Sequence, residues 1–193
     1  MSTRRNLLAL AVLAYLSQRP MHPYELSKTL RNHGDDRSIK FTHGSVYMVV
    51  EQLLKAGLVA EQETTREGQR PERTVYGITP EGRAELQGWL RDLVGVPRHE
   101  YPAFGSALSL VSALHPDVVV ELLRERLSRL RTDRATAAEL AGGTEPHPLF
   151  LIEEVYRLGL LDAEIAFVER FIEQITDPAD GWRPMWAAYH DAK

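Results

Sequence analysis

The pattern of apolar residues changes near residue 57, and this change most constrains what the chain can fold into. Three stretches before it have the composition and spacing of helices, and they are 4–17, 24–32 and 42–56. Two short β-prone stretches follow, 58–64 and 73–78, and the residues between them are polar and include glycine and proline. The pattern therefore predicts a β-hairpin after three helices.

Capping residues mark where these helices begin and end. Thr42 is a good N-cap for the third helix and Gly57 closes it, while Gly34 ends the second helix. Thr79 and Pro80 start a fourth helix, because threonine caps helices and proline favours the first helical position. We expect this helix to run to about residue 94.

The order of these elements predicts a winged helix-turn-helix, with the polar hairpin as the wing. Glycine and proline at 95–97 break the pattern, so we expect residues 1–94 to form this domain and residues 95–193 a second one. The second domain is expected to be all helical, with helices at 104–114, 117–141 and 149–175. The predicted fold class is thus mostly α with a small β-hairpin.

Apolar stripes on the two long helices step by three and four positions, as in coiled coils. Each stripe contains one charged residue, Arg134 in the first and Glu154 in the second. If the helices pair antiparallel about a loop centred near residue 145, the two side chains lie at similar height. We hypothesise that they meet, within the subunit or across a dimer. The alternative is that the stripes drift and both charges face solvent.

Composition and motifs exclude several classes of protein. The chain has no cysteine, which excludes disulfides, thiolate metal sites and cysteine nucleophiles. None of its seven histidines pair at the i, i+4 spacing of a helical zinc site, so we expect no metal and no cofactor. The sequence has no G-x-S-x-G motif and no glycine-rich phosphate loop, and we expect no enzyme activity.

Charge is distributed unevenly along the chain. Residues 1–90 contain 12 basic and 10 acidic residues, whereas residues 91–193 contain 11 and 17. The second half is too acidic for a nucleic-acid surface. The basic residues of the first half cluster around the predicted third helix and wing, where a DNA-binding protein needs them.

The first residues imitate a twin-arginine export signal, because Arg4 and Arg5 precede an apolar run that ends at Leu16. No cleavage site of small residues follows Leu16, and the run of about ten residues is too short to span a bilayer. A buried first helix explains the run better. We therefore expect a cytoplasmic protein that is not in the membrane.

Ordered motifs across about residues 7–90 resemble the PadR family of transcriptional regulators. They are Pro20-Met21-His22-Pro23-Tyr24-Glu25-Leu26, Gly44-Ser45-Val46-Tyr47, Leu53-Leu54-Lys55-Ala56-Gly57-Leu58-Val59 and the stretch 68–83. The chain departs from the family pattern at Pro23, where glycine is usual, and at Ser45-Val46, where Thr-Leu is usual. It also has Met48 where proline is common.

The resemblance implies a repressor that binds pseudo-palindromic operator DNA as a homodimer. The acidic helical half looks like that of the longer PadR subtype, in which such helices mediate dimerisation. Small hydrophobic or phenolic compounds can act as inducers in the family, and nothing in this sequence selects one. The competing interpretation is a winged helix that binds a protein partner instead of DNA.

Candidate DNA contacts lie on the predicted third helix, around it and on the wing. His43 and Ser45 lie in the first turn, from which recognition helices read bases or reach phosphates. Tyr47 either contacts DNA or anchors the helix to the wing. The remaining candidates are Lys28, Lys40, Thr42, Arg66, Arg70 and Arg73. Arg70 is the first choice for the minor groove, because it precedes a proline at the wing tip.

Aromatic residues of the second domain have two open interpretations. They line an effector cavity, or they pack the dimer interface and the C-terminal tail, since aromatic residues are enriched at interfaces. The candidates are Tyr101, Phe104, Tyr156, Trp182 and Trp186. Trp89 is expected to pack between the domains.

Overall fold

The computed structural model describes residues 6–65, 73–142 and 147–192. The chain divides into two compact units, Met1–His99 and Glu100–Lys193, and each has its own apolar core. None of the helices in these described ranges is long and apolar enough to cross a membrane.

The first unit is a winged helix-turn-helix, as the sequence predicts. Its elements are α1 (Leu7–Gln18), α2 (Pro23–Asn32), α3 (His43–Lys55), β1 (Val59–Thr65), β2 (Arg73–Ile78) and α4 (Pro80–Gly95). A 3₁₀ turn, Asp35–Arg37, lies between α2 and α3. The predicted fold class, mostly α with a small hairpin, is confirmed.

α1 is the centre of the first core because it is apolar on nearly every side. Val12 and Leu13 are fully buried, and Leu8 and Leu16 nearly so. α2, α3, α4 and β2 all contact α1 and supply the rest of the core. Trp89 of α4 is buried in this same cluster, which corrects the expectation that it packs between the domains.

Local hydrogen bonds and backbone angles set the helix boundaries. The side-chain oxygen of Asn6 accepts a hydrogen bond from the Leu8 amide at 3.0 Å, so α1 begins at Leu7 and not at residue 4. Gly34 and Gly57 have φ angles of 75° and 72°, in the left-handed region that favours glycine. α2 and α3 therefore end where these glycines predict.

The wing is an antiparallel hairpin in which Val59 lies opposite Ile78. One further residue pairs with it: the Met21 amide donates to the Tyr76 carbonyl oxygen at 3.0 Å, and the Tyr76 amide donates to that of Met21 at 3.1 Å. This bridge ties the segment before α2 to β2. A single residue leaves no periodic pattern, so the sequence did not predict it.

The start of α4 lies very close to the chain that leaves α3. Thr79 caps α4 by accepting a hydrogen bond from the Gly82 amide at 3.0 Å, and its hydroxyl donates to the Gly57 carbonyl oxygen at 2.8 Å. A Cβ atom at Gly82 would lie 2.0 Å from the carbonyl oxygen of Leu58. Only glycine therefore fits at this position without a backbone shift.

The second unit is helical throughout its described residues. Its elements are α5 (Ala103–Leu108), α6 (Pro116–Ala141), α7 (Ile152–Thr176) and α8 (Arg183–Asp191), with 3₁₀ turns at Val111–Ala113 and Pro148–Leu151. The predicted helix 104–114 is thus shorter: α5 ends at Leu108, and the Leu110 amide then donates to the Ala107 carbonyl oxygen in a turn. The predicted helix from residue 149 likewise begins with a 3₁₀ turn.

α6 and α7 pack against each other as an antiparallel hairpin along their predicted apolar stripes. Leu123 and Leu130 of α6 and Val168 and Ile175 of α7 are buried in one cluster. α8 closes the end of this cluster with Trp186.

The predicted pair of Arg134 with Glu154 is wrong within the subunit. The Arg134 Nε donates to Asp162 Oδ1 at 2.5 Å, while Glu154 is almost fully buried and lies 3.3 Å from the Arg157 guanidinium. Asp162, further along α7, is therefore the carboxylate that Arg134 meets, in place of Glu154.

Substitution of Gly82 tests the close approach of α4 to Leu58. We expect Gly82→Ala to lower the free energy of unfolding by about 1–3 kcal/mol, because the new methyl group overlaps a backbone oxygen. The matched control is Gly88→Ala in the same helix, where nothing lies within 4 Å of the new methyl group. That control should gain about 0.5–1 kcal/mol, since alanine is the better helix former. Equal stability of the two variants in denaturant titrations would show that the approach is not tight.

Candidate nucleic-acid interface

α3 has one buried face and one exposed face. Val46, Val49, Val50 and Leu53 face the core of the first unit. The opposite face is open to solvent, and its exposed residues are Gly44, Tyr47, Met48, Glu51, Gln52 and Lys55. A helix that is held on one side and free on the other can enter the major groove of a duplex.

A capping box fixes the first turn of α3. The Ser45 amide donates to Thr42 Oγ1 at 3.2 Å, and the Thr42 amide donates to Ser45 Oγ at 2.8 Å. The Ser45 hydroxyl donates its hydrogen to the Thr42 carbonyl oxygen, also at 2.8 Å. Both side chains thus stabilise the helix start, and contacts from Thr42 or Ser45 to DNA stay predictions.

His43 is held against α2 by three contacts. Its Nδ1 lies 2.6 Å from Ser27 Oγ, and its Nε2 lies 3.0 Å from the Arg31 guanidinium. Its ring stacks on Tyr24, with the ring centroids 5.8 Å apart and the planes 6° from parallel. The structure therefore joins His43 to three residues of α2, and a contact with DNA stays a prediction.

Tyr47 lies one turn further along the exposed face and is 42% exposed. Its ring and the ring of His22 form a T-shaped pair with centroids 6.0 Å apart. His22 in turn caps α2 by accepting a hydrogen bond from the Tyr24 amide. The neighbour of Tyr47 is thus the start of α2. Whether Tyr47 also contacts DNA stays a prediction.

The predicted basic contacts fall in different parts of the chain. Lys28 of α2 and Lys40 before α3 are exposed. Arg73 begins β2 opposite Thr65. Arg66 and Arg70 lie outside the described residues, as do Arg4 and Arg5.

Acidic groups also lie close to this surface. Burial, together with the carboxylates of Glu61 and Glu51, raises the pKa of Tyr76. The phenol therefore stays neutral at physiological pH. Glu51 belongs to the exposed face of α3, so this face carries an acidic group as well as Lys55.

Sequence reasoning missed the part that α2 plays in this surface. Tyr24, Ser27 and Arg31 are spaced by three and four residues, which places them on one helix face. That spacing of polar groups was a readable signal. Their partner, His43, lies on another helix, and no local pattern identifies it.

The second unit holds a cavity of about 600 Å³ between α5, the 3₁₀ turn after it and α6. Apolar side chains line most of it, including Leu108, Val111, Leu123 and Leu130. Phe104 also lines it, and the Arg126 guanidinium lies 3.6 Å from the centre of the Phe104 ring. The cavity therefore offers an apolar space with cationic and anionic groups at its rim.

The other predicted effector residues lie elsewhere in this unit. Tyr101 and Tyr156 are 84% and 68% exposed. Trp182 and Trp186 both pack on Phe171, at ring-centroid distances of 6.2 and 6.4 Å. Only Phe104 of the five candidates lines the cavity.

Comparison with known proteins places the winged unit in one family. Residues 12–88 match the model of the transcriptional regulator PadR-like family. The chain is 28% identical over 149 residues to a probable transcriptional regulator of Mycobacterium tuberculosis, Rv1176c. The aligned residues make up 70% of this chain and 73% of that protein.

Two solved structures of Bacillus subtilis PadR share the fold. The complex with operator DNA has a TM-score of 0.67 at 18% identity and covers 86% of this chain and 98% of that one. The complex with p-coumaric acid has a TM-score of 0.69 at 16% identity and covers 90% of this chain and 97% of that one. The winged helix-turn-helix unit, over residues 12–88, therefore matches the PadR-like family of transcriptional regulators.

Proposed function

We propose that the chain is a sequence-specific DNA-binding repressor that acts in the cytoplasm and is released from its operator by a small molecule. The observation that carries the proposal is the exposed face of α3, backed by a buried apolar face and fixed by a capping box. The complex of Bacillus subtilis PadR with operator DNA supports it. We assign DNA binding to residues 1–94, and assembly and effector binding to residues 95–193, with no enzymatic step.

In this proposal the candidate residues divide into three groups. Gly44 and Tyr47 face the bases from the outer side of α3, while Lys28 and Lys40 contact phosphates. Arg66, Arg70 and Arg73 contact the minor groove or backbone from the wing. The competing function, a winged helix that binds a protein, requires none of these contacts with a duplex.

The salt dependence of duplex binding distinguishes these two functions. A footprint of the full chain on the DNA upstream of its own gene supplies the probe. We expect log affinity to fall linearly with log salt, and Lys40→Ala to reduce that slope by about one, because each neutralised phosphate releases a counterion. Arg124→Ala, an exposed cation of the second unit outside the cavity lining, serves as the control and should leave the slope unchanged. Duplex binding that is absent or insensitive to salt would favour the protein-binding function.

Gly44 gives a sharper test of the exposed face of α3. A Cβ atom there would meet only Thr42 Oγ1, at 3.9 Å, so alanine fits the free protein and suits the helix better. We propose that this position requires glycine because the backbone of this turn approaches DNA closely. Gly44→Ala should therefore keep or raise the melting temperature and weaken binding to the footprinted duplex about tenfold, which corresponds to about 1.4 kcal/mol. Unchanged affinity would remove Gly44 from the interface.

We also propose that the chain is a homodimer joined through α7. The face of α7 that points away from α6 carries a stripe of exposed apolar residues. The stripe includes Ile152, Tyr156, Leu160 and Phe167. A second copy of the chain is the partner that covers it, because contiguous apolar stripes of this kind mark protein interfaces. Tyr156 then packs at the dimer interface, which is the second of its two predicted roles.

The introduction of negative charge on this stripe tests the dimer. We expect the wild-type chain to sediment as a dimer at micromolar concentration. The double variant Ile152→Glu, Leu160→Glu should sediment as a monomer, because each copy would have to bury two carboxylates in the interface. Glu173→Gln, on the same helix outside the stripe, is the control. A double variant that stays dimeric would place the interface elsewhere.

The cavity beside Phe104 is our proposed effector site. Its apolar lining and its size suit a small aromatic compound. The complex of Bacillus subtilis PadR with p-coumaric acid supports a ligand of this class. Tyr101, Trp182 and Trp186 lie outside the cavity lining, and we assign the two tryptophans to packing of α8.

A further inference from the structure

The contacts of His43 with α2 determine where its ring proton lies. An arginine side chain carries only hydrogen-bond donors, so the Nε2 of His43 must accept the hydrogen bond from Arg31 at 3.0 Å. In the neutral ring the proton is then on Nδ1. Nδ1 therefore donates to Ser27 Oγ, at 2.6 Å. Both ring nitrogens are used, one as a donor and one as an acceptor.

Release of the ring from α2 would be costly. Ser27 is fully buried, so its hydroxyl could not exchange His43 for bulk water. The ring would also leave the stack on Tyr24. A base contact by His43 needs a free ring nitrogen pointing outward, and these contacts leave none.

The position of His43 makes this connection important for the whole first turn of α3. The apolar face of α3 begins at Val46 and fixes the distance of the helix from the core, but apolar packing is not directional. The hydrogen bonds to Ser27 and Arg31 are directional, and they act at the first residue of the helix. They therefore limit rotation of the turn that carries Gly44.

We propose that His43 is a positioning residue that locks the recognition helix to α2 through Ser27, Arg31 and Tyr24, and that it does not read bases. These four residues form the α2–α3 clamp. The inference rests on the proposed function, because α3 is taken as the helix that enters the groove. In this proposal the exposed face of α3 determines which DNA sequence is preferred, and the α2–α3 clamp contributes affinity for every duplex.

Binding measurements separate a positioning residue from a base-reading one. The probe is the duplex that the wild-type full chain selects from a random-sequence library, together with its single-base variants. We expect His43→Ala to weaken binding to every duplex in this panel by the same factor, about tenfold. Ser27→Ala should also weaken binding to every duplex by one common factor. The double variant should lose no more than the weaker-binding single variant, because His43→Ala already removes the contact that Ser27→Ala deletes.

A conservative variant and a remote control separate the clamp from general destabilisation. His43→Asn places an amide group near the position of Nδ1 and should restore much of the affinity, since it can still bond Ser27. Gln87→Ala, exposed on α4, should bind as the wild type does. If His43→Asn recovers affinity for the duplexes while its melting temperature equals that of His43→Ala, the result would support a positioning role for His43.

Two results would overturn the proposal. One is a change in base preference at a single position in His43→Ala, since a base-reading side chain discriminates by about tenfold or more at its own position. The other is an additive loss in the double variant.

Nitrogen-15 NMR of the free full-length chain gives a readout that needs no DNA. The clamp predicts a neutral His43 ring with its proton on Nδ1, and the Nε2–H tautomer would refute it. If the wild type bound no duplex while this tautomer was present, the proposed function would fail and the clamp would remain as a connection between α2 and α3.

Discussion

The enclosure of α1 is the constraint on which the first unit depends. A helix that is apolar on nearly every side must be covered on every side, and α2, α3, α4 and β2 provide that cover. Full burial of each valine or leucine contributes about 1.5–3 kcal/mol relative to exposure, and Val12 and Leu13 have no exposed surface. The elements around α1 therefore cannot move independently, and the position of α3 is determined before any contact with DNA.

Two kinds of contact then act on α3. The apolar contacts of Val46 and Val50 are strong and not directional, so they hold the helix close to the core. The hydrogen bonds of His43 with Ser27 and Arg31 together stabilise the helix less than the apolar contacts do. They are directional, however, and they select one rotation of the first turn. A recognition helix needs both, because an error of rotation moves every base contact at once.

The sequence predicted the elements of the fold because their signals are local. Thr42, Gly57 and Gly34 mark helix ends within a few residues of the bonds they make. The Met21–Tyr76 bridge, the Ser27–His43 contact and the register of α6 against α7 join residues far apart in the chain, and no periodic pattern reports them. α3 was predicted as a helix for the same reason. Its role as the recognition helix stays a prediction, and the intramolecular partners of His43 and Ser45 required the structure.

The two outward-facing helices differ in the chemistry that they leave uncovered. α3 exposes a glycine, a tyrosine and amide or charged groups, which suit the grooves and phosphates of a duplex. α7 exposes isoleucine, leucine and aromatic side chains, which water covers poorly and another protein surface covers well. An operator with two half-sites requires two copies of α3 at a fixed spacing, and one chain supplies only one copy. In the proposed dimer the apolar face of α7 brings the second copy, so this face is as necessary to the proposed function as the recognition helix.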